Sequence, residues 1–89
     1  MRDIKKTQTP NLFAVATLGG LFFIEVYNQR SGFKIVIDQT YLQGLFIRAV
    51  VEVKKNIFVA CVNERSEVYK IYKDSAEVIT IAGSHYYDN

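Results

Sequence analysis

Residues 11–28, NLFAVATLGGLFFIEVYN, and residues 56–73, NIFVACVNERSEVYKIYK, align without a gap at an offset of 45 positions. Each copy is an apolar run, a turn and a second apolar run, the pattern of a β-hairpin. Three positions are identical (Asn11/Asn56, Phe13/Phe58 and Tyr27/Tyr72), and nine of the 18 pairs are apolar in both copies. The repeat predicts a repeat architecture, and a period of about 40–45 residues suits a unit of four strands.

The punctuation along the chain supports strands throughout. Leu12–Thr17 is an apolar run closed by Gly19-Gly20, a pair that supplies the positive φ angles of a tight hairpin. Leu21–Tyr27 returns, NQRSG at 28–32 turns, and Phe33–Ile37 follows. The second half repeats the grammar with runs at 45–53, 57–62, 67–72 and 77–81, separated by KKN, NERS and KDS. Seven strands with turn signals roughly every 8–12 residues predict an all-β fold. The expected organisation is a single unit over 1–89, with a first, partial four-stranded unit at 11–38, a second at 45–82 and a tail at 83–89. The runs 12–17 and 57–62 are apolar at nearly every position, which predicts burial on both faces of a sheet.

One segment supports a second reading. Leu42, Leu45, Phe46, Ala49 and Val53 follow helical spacing, and Arg48 and Glu52 would form an i,i+4 pair. That reading gives an α+β alternative, β3-α-β3 with a helix at 42–54. Ile47, Val50, Val51 and Val53 are β-branched and Gly44 weakens the first turn, so strand is preferred. As a strand, Ile47, Ala49, Val51 and Val53 share one face and Arg48 and Glu52 the other. The two charges would then lie roughly 13 Å apart and take separate partners.

Composition narrows the function. The 49% hydrophobic and 22% charged content of these 89 residues describes one small folded domain rather than a polar tail. Such a chain buries only roughly 60–65% of its unfolded surface. Eleven basic and nine acidic residues leave +2, and the densest basic cluster is Lys54-Lys55. A solvated turn accounts for that pair, so no nucleic-acid partner is expected. Cys61 is alone and lies within an apolar run, where a thiol acts as a small hydrophobe. Its use fits a reducing compartment. The start, MRDIKKTQTP, has no apolar core of a signal peptide, and no run of 18 apolar residues occurs. A soluble, cytoplasmic protein with no membrane contact is expected.

Catalytic signatures are missing: the chain has no GxSxG, P-loop, HExxH or CxxC. Gly19-Gly20 is too short to cradle phosphate, and His85 is the only histidine. Glu25, Asp38, Glu52 and Asp74 are the acids to inspect, but nothing in the sequence sets two of them at the roughly 5–9.5 Å of glycoside hydrolysis. The expectation is a non-enzyme without cofactor or metal.

At this point the chain resembles β-propeller blades of the WD40 type or a related propeller repeat. In that likeness LFIRAVVEVKKNIFVACVNERSEVYKIYKDSAEVITIAG is one blade, with strands A to D at 45–53, 57–62, 67–72 and 77–81. The first segment supplies B at 12–17, C at 21–27 and D at 33–37, and a degenerate A falls within RDIKKTQT. The Trp-Asp of WD40 blades is replaced by Tyr27-Asn28 and Tyr72-Lys73, and Gly83-Ser84-His85 is a stretched Gly-His. The hydrogen-bonded tetrad of that family is therefore not carried over.

The resemblance implies blades that cannot bury their faces alone, since roughly three or more repeats are needed for stability. The chain is accordingly expected to be a non-catalytic scaffold or protein–protein interaction segment of a larger assembly. Its partners would be other proteins or further blades of one ring, homo-oligomers included. The loop residues expected to carry contacts are Gln29, Arg30, Tyr41, Gln43, Glu64 and Arg65. One alternative is a homo-oligomeric, two-blade, lectin-like ligand-binding protein using Tyr41, Tyr86 and Tyr87, the aromatics outside the strand runs. The other is a small α+β interaction domain.

Overall fold

The computed structural model describes residues 3–62 and 67–82. Among the described residues eight strands run in chain order: β1 (Asp3–Lys6), β2 (Leu12–Thr17), β3 (Gly20–Gln29), β4 (Gly32–Tyr41), β5 (Ile47–Lys54), β6 (Ile57–Val62), β7 (Glu67–Tyr72) and β8 (Glu77–Ala82). They form two antiparallel sheets, β1-β2-β3-β4 and β5-β6-β7-β8, each with sequential neighbours paired. The all-β expectation holds. The α+β alternative does not: residues 47–54, inside the helix considered at 42–54, are strand β5. Four β-branched residues at 47, 50, 51 and 53 outweigh the helical spacing of the leucines. The first sheet is complete rather than partial, because Asp3–Lys6 supplies its fourth strand against Phe13–Ala16.

Turn chemistry fixes the ends. Asn11 and Asn56, one repeat apart, both hold left-handed conformations, with φ 65° and 62°. Asparagine tolerates that region better than most residues. The Asn11 and Asn56 carbonyls accept from the Val26 and Lys73 amides, tying the first turn of one sheet to its third strand and that of the other to the residue just after its third strand. Gly20 has φ 138° and a Cβ there would stand 3.2 Å from the Tyr41 carbonyl oxygen, so the β2–β3 turn can lie flush on the β4–β5 connection. The Gly44 amide donates to the Gly19 carbonyl at 2.8 Å and locks that contact.

The sheets stack face to face. Residues paired across strands share a face, so each sheet has two well-defined surfaces. The front of the first sheet presents Leu12, Ala14, Ala16, Leu21, Phe23 and Tyr41 to Ile47, Val50, Phe58, Ala60, Val62 and Ile71 on the back of the second, forming one buried cluster. Phe23 is its centre: its ring meets Phe58 at 4.7 Å and Tyr41 at 5.7 Å, both edge-on, as ring quadrupoles favour. The backbones approach most closely where β1 and β2 meet β5. All of β8 and most of β4 are exposed, so the stack is tight along its inner strands and open along its outer ones.

Bulges redirect several side chains. In β5, Arg48 is extra between Ile47↔Val62 and Ala49↔Cys61. The expected face of Ile47, Ala49, Val51 and Val53 is therefore broken: Ile47 and Val50 are buried, while Ala49, Val51 and Val53 are exposed. In β4, Asp38 is extra between Ile37 and Gln39, and the bulge turns its carboxylate to Lys73 of the other sheet, 2.6 Å away.

Candidate functional site

Stacking two sheets covers one face of each and leaves two faces open, on opposite sides of the molecule. Both open faces are mainly apolar, with Lys6 and Thr40 on the first and Lys54, Lys70 and Glu77 on the second. On the back of the first sheet, Ile4, Phe13, Phe22, Ile24, Ile35 and Ile37 share the surface that the pairings Ile4↔Val15, Phe13↔Ile24, Ile24↔Ile37 and Val26↔Ile35 define. Ile35 and Ile37 are each 63% exposed and Phe33 74%. On the front of the second sheet, Val51, Val59, Lys70 and Ile79 form one cross-strand row and Ala49, Cys61, Val68 and Ala82 the next. Val51 is 50% exposed and Ile79 40%.

The burial expected from the two continuous apolar runs is met unequally. β2 is buried at Leu12, Ala14, Val15 and Ala16. In β6, Phe58, Ala60 and Val62 are buried, whereas Ile57, Val59 and Cys61 on the open front are half-buried. The side chains have the character of an interior, but among the described residues no sheet lies over them.

A second feature extends the first open face. β2 pairs with β3 only as far as Leu12↔Glu25, so Val26–Gln29 and Gly32–Ile35 continue as a two-stranded arm. Gln29, expected in a loop, is the last residue of β3, and Arg30 lies in the turn after it; both are exposed at the tip of the arm. Gln43 is exposed in the β4–β5 connection. Tyr41 corrects the expectation of a contact loop: it is the last residue of β4, pairs with Leu21 and is 8% exposed. Glu64 and Arg65 lie outside the described residues, as do His85, Tyr86 and Tyr87.

The acids are engaged in structural contacts. The Glu52 carboxylate accepts from the Gln8 amide at 2.6 Å and the Asn56 amide at 2.9 Å, bracing the first turn of each sheet against the other. Glu25 accepts from the Tyr27 hydroxyl, and Asp74 accepts from the Asn56 side-chain amide at 2.9 Å. Asp3 accepts from the Val50 amide at 3.3 Å, covering a donor on the free edge of β5. Lys73 lies 5.4 Å from the Phe23 ring centre while paired with Asp38.

An open cleft of about 340 Å³ lies where β1 and β5 meet, lined by Lys5, Lys6, Thr7, Gln8, Val51 and Glu52. Glu52, its one acid, is already bound to two backbone amides. Among the described residues no three His, Cys, Asp or Glu side chains gather in a way that could hold a metal ion. Burial, with a smaller contribution from Asp38, raises the Tyr41 pKa. That of Tyr27 is raised first by its hydrogen bond to Glu25. Among the described residues no helix is long and apolar enough to cross a membrane.

The sequence pointed to loops, whereas the largest unsatisfied chemistry lies on sheet faces. The signal that would have found it is the apolar run Phe33–Ile37 with Phe22 and Ile24, too apolar for an outward surface. No family model, curated protein or solved structure matches the chain.

Proposed function

We propose that this chain is a non-catalytic interaction segment, two blades of a propeller-type ring whose open faces dock onto further blades or a protein partner. The supporting observation is the pair of apolar faces on opposite sides of one two-sheet stack. A self-sufficient sandwich would turn polar side chains outward on both sheets. Here Phe33, Ile35, Ile37, Val51, Val53 and Ile81 point out instead, each between 47% and 74% exposed. The narrow inner and open outer sides of the stack suit a wedge in a ring. The single free cysteine suits a cytoplasmic setting. The lectin-like alternative draws no support from Tyr41, which sits in the core.

Solution mass combined with binding of a hydrophobic dye tests the reading. An assembled species, or a folded single chain that binds the dye strongly, is the expected result. A folded single chain that binds no dye would show that the faces need no covering, and the proposal would fall.

A further inference from the structure

The two open faces are related to the two buried ones by the repeat itself. Adding 45 to the buried front of the first sheet converts Leu12, Ala14, Ala16 and Phe23 into Ile57, Val59, Cys61 and Val68, which form the open front of the second. Adding 45 to the open back of the first converts Phe13, Val15 and Val26 into Phe58, Ala60 and Ile71, which form the buried back of the second. The chain therefore makes one front-to-back contact internally and carries both halves of the same contact unused.

We infer that the unused halves meet between copies, the back of the first sheet of one chain packing on the front of the second sheet of the next. The inference rests on the proposed docking role of the faces and names their occupant as a second copy. The front surfaces match in kind: Ile, Val, Cys and Val replace Leu, Ala, Ala and Phe, so one large ring is lost where smaller side chains grow. The size is sufficient. Four strands at about 4.8 Å spacing and four to ten residues long cover roughly 400–500 Å² in projection. That is the scale of the ~800 Å² of corrugated accessible surface each partner gives up in a standard interface.

Pairing like faces, front to front or back to back, would reproduce no contact the chain already makes. A head-to-tail contact is heterologous, so it closes into a ring only if each step turns. The tight inner and open outer strands provide that turn. Rings of about 4–8 blades correspond to two to four copies.

Face-specific variants of the full chain test this. Ile37→Asp lies on the open back and Val51→Asp on the open front, at positions 63% and 50% exposed in the single chain, so the fold should survive. Circular dichroism checks it, and Ile35→Asp and Ile79→Asp replace either variant that unfolds. Light scattering should find two to four copies of the 10.2 kDa wild-type chain. Each variant alone should be a single chain, and an equimolar mixture should form a one-to-one pair and nothing larger, since one live front meets one live back.

A wild-type chain that is single or unfolded, a variant that keeps the wild-type mass, or a variant that pairs with itself would overturn the inference. A single wild-type chain that binds hydrophobic dye would overturn only the second copy as occupant and leave the docking role standing. One that binds no dye would overturn both.

Discussion

Tyr41 concentrates the residue-scale physics. Its ring closes the core against Phe23 while its hydroxyl is buried without a hydrogen-bond partner among the described residues. An unmade bond at a buried hydroxyl costs on the order of 1–3 kcal/mol. Tyr41→Phe keeps the ring and removes the cost, so denaturant unfolding should show equal or greater stability, by up to about 1 kcal/mol. Its raised pKa adds a pH dependence. The folded state holds the phenol proton to higher pH than the unfolded chain, whose value is about 10. Stability is therefore full below that value and falls as pH rises through the folded pKa. Tyr41→Phe should flatten this alkaline loss in thermal melts, leaving the part due to Tyr27, which has the same sign. An unchanged alkaline slope would assign the loss elsewhere.

At the scale of elements, Glu52 does what neither sheet does for itself. It sits in β5, yet its two oxygens serve the turn after β1 and the turn before β6. Hydrogen bonds to a charged group contribute about 1.5–3 kcal/mol each when desolvated, less where exposed as at Gln8. Glu52→Ala should cost about 1–2 kcal/mol in a chemical melt. Hydrogen exchange should quicken first at the Gln8 and Asn56 amides. If exchange there stays slow, the brace lies in the apolar cluster and not in the carboxylate. The bulge at Asp38 plays a comparable part, reaching Lys73 across the open side of the stack.

For the whole molecule, the governing fact is a surplus of apolar faces. Two sheets have four faces, and one chain covers two. A small chain has little stability in reserve, so covering the other two should matter more than any single contact. If copies cover them, association stabilises the folded state by mass action. The melting temperature of the wild-type chain should then rise with chain concentration. That of Ile37→Asp, which spoils one face, should stay flat. A concentration-independent wild-type melt would mean that the faces stay open or are met by another protein.

Strand positions were legible in the sequence because turn signals are local: β2 and β6 run over the predicted 12–17 and 57–62, and the left-handed asparagines fall one repeat apart. The apolar runs also announced that both sides of a strand would seek cover. What the sequence could not reveal was which side finds it within the chain. A one-residue bulge exchanges faces, and the one at Arg48 buries Ile47 and Val50 while turning Val51 outward. Cross-strand register decides such bulges, and register is a property of two strands, not of one. Tyr41 entered the core for the same reason, since β4 extends until it has paired with Leu21. The repeat thus determined the two sheets and their chemistry. The tertiary structure alone decided which faces meet, because the apolar free energy that drives burial has no direction and geometry supplies it.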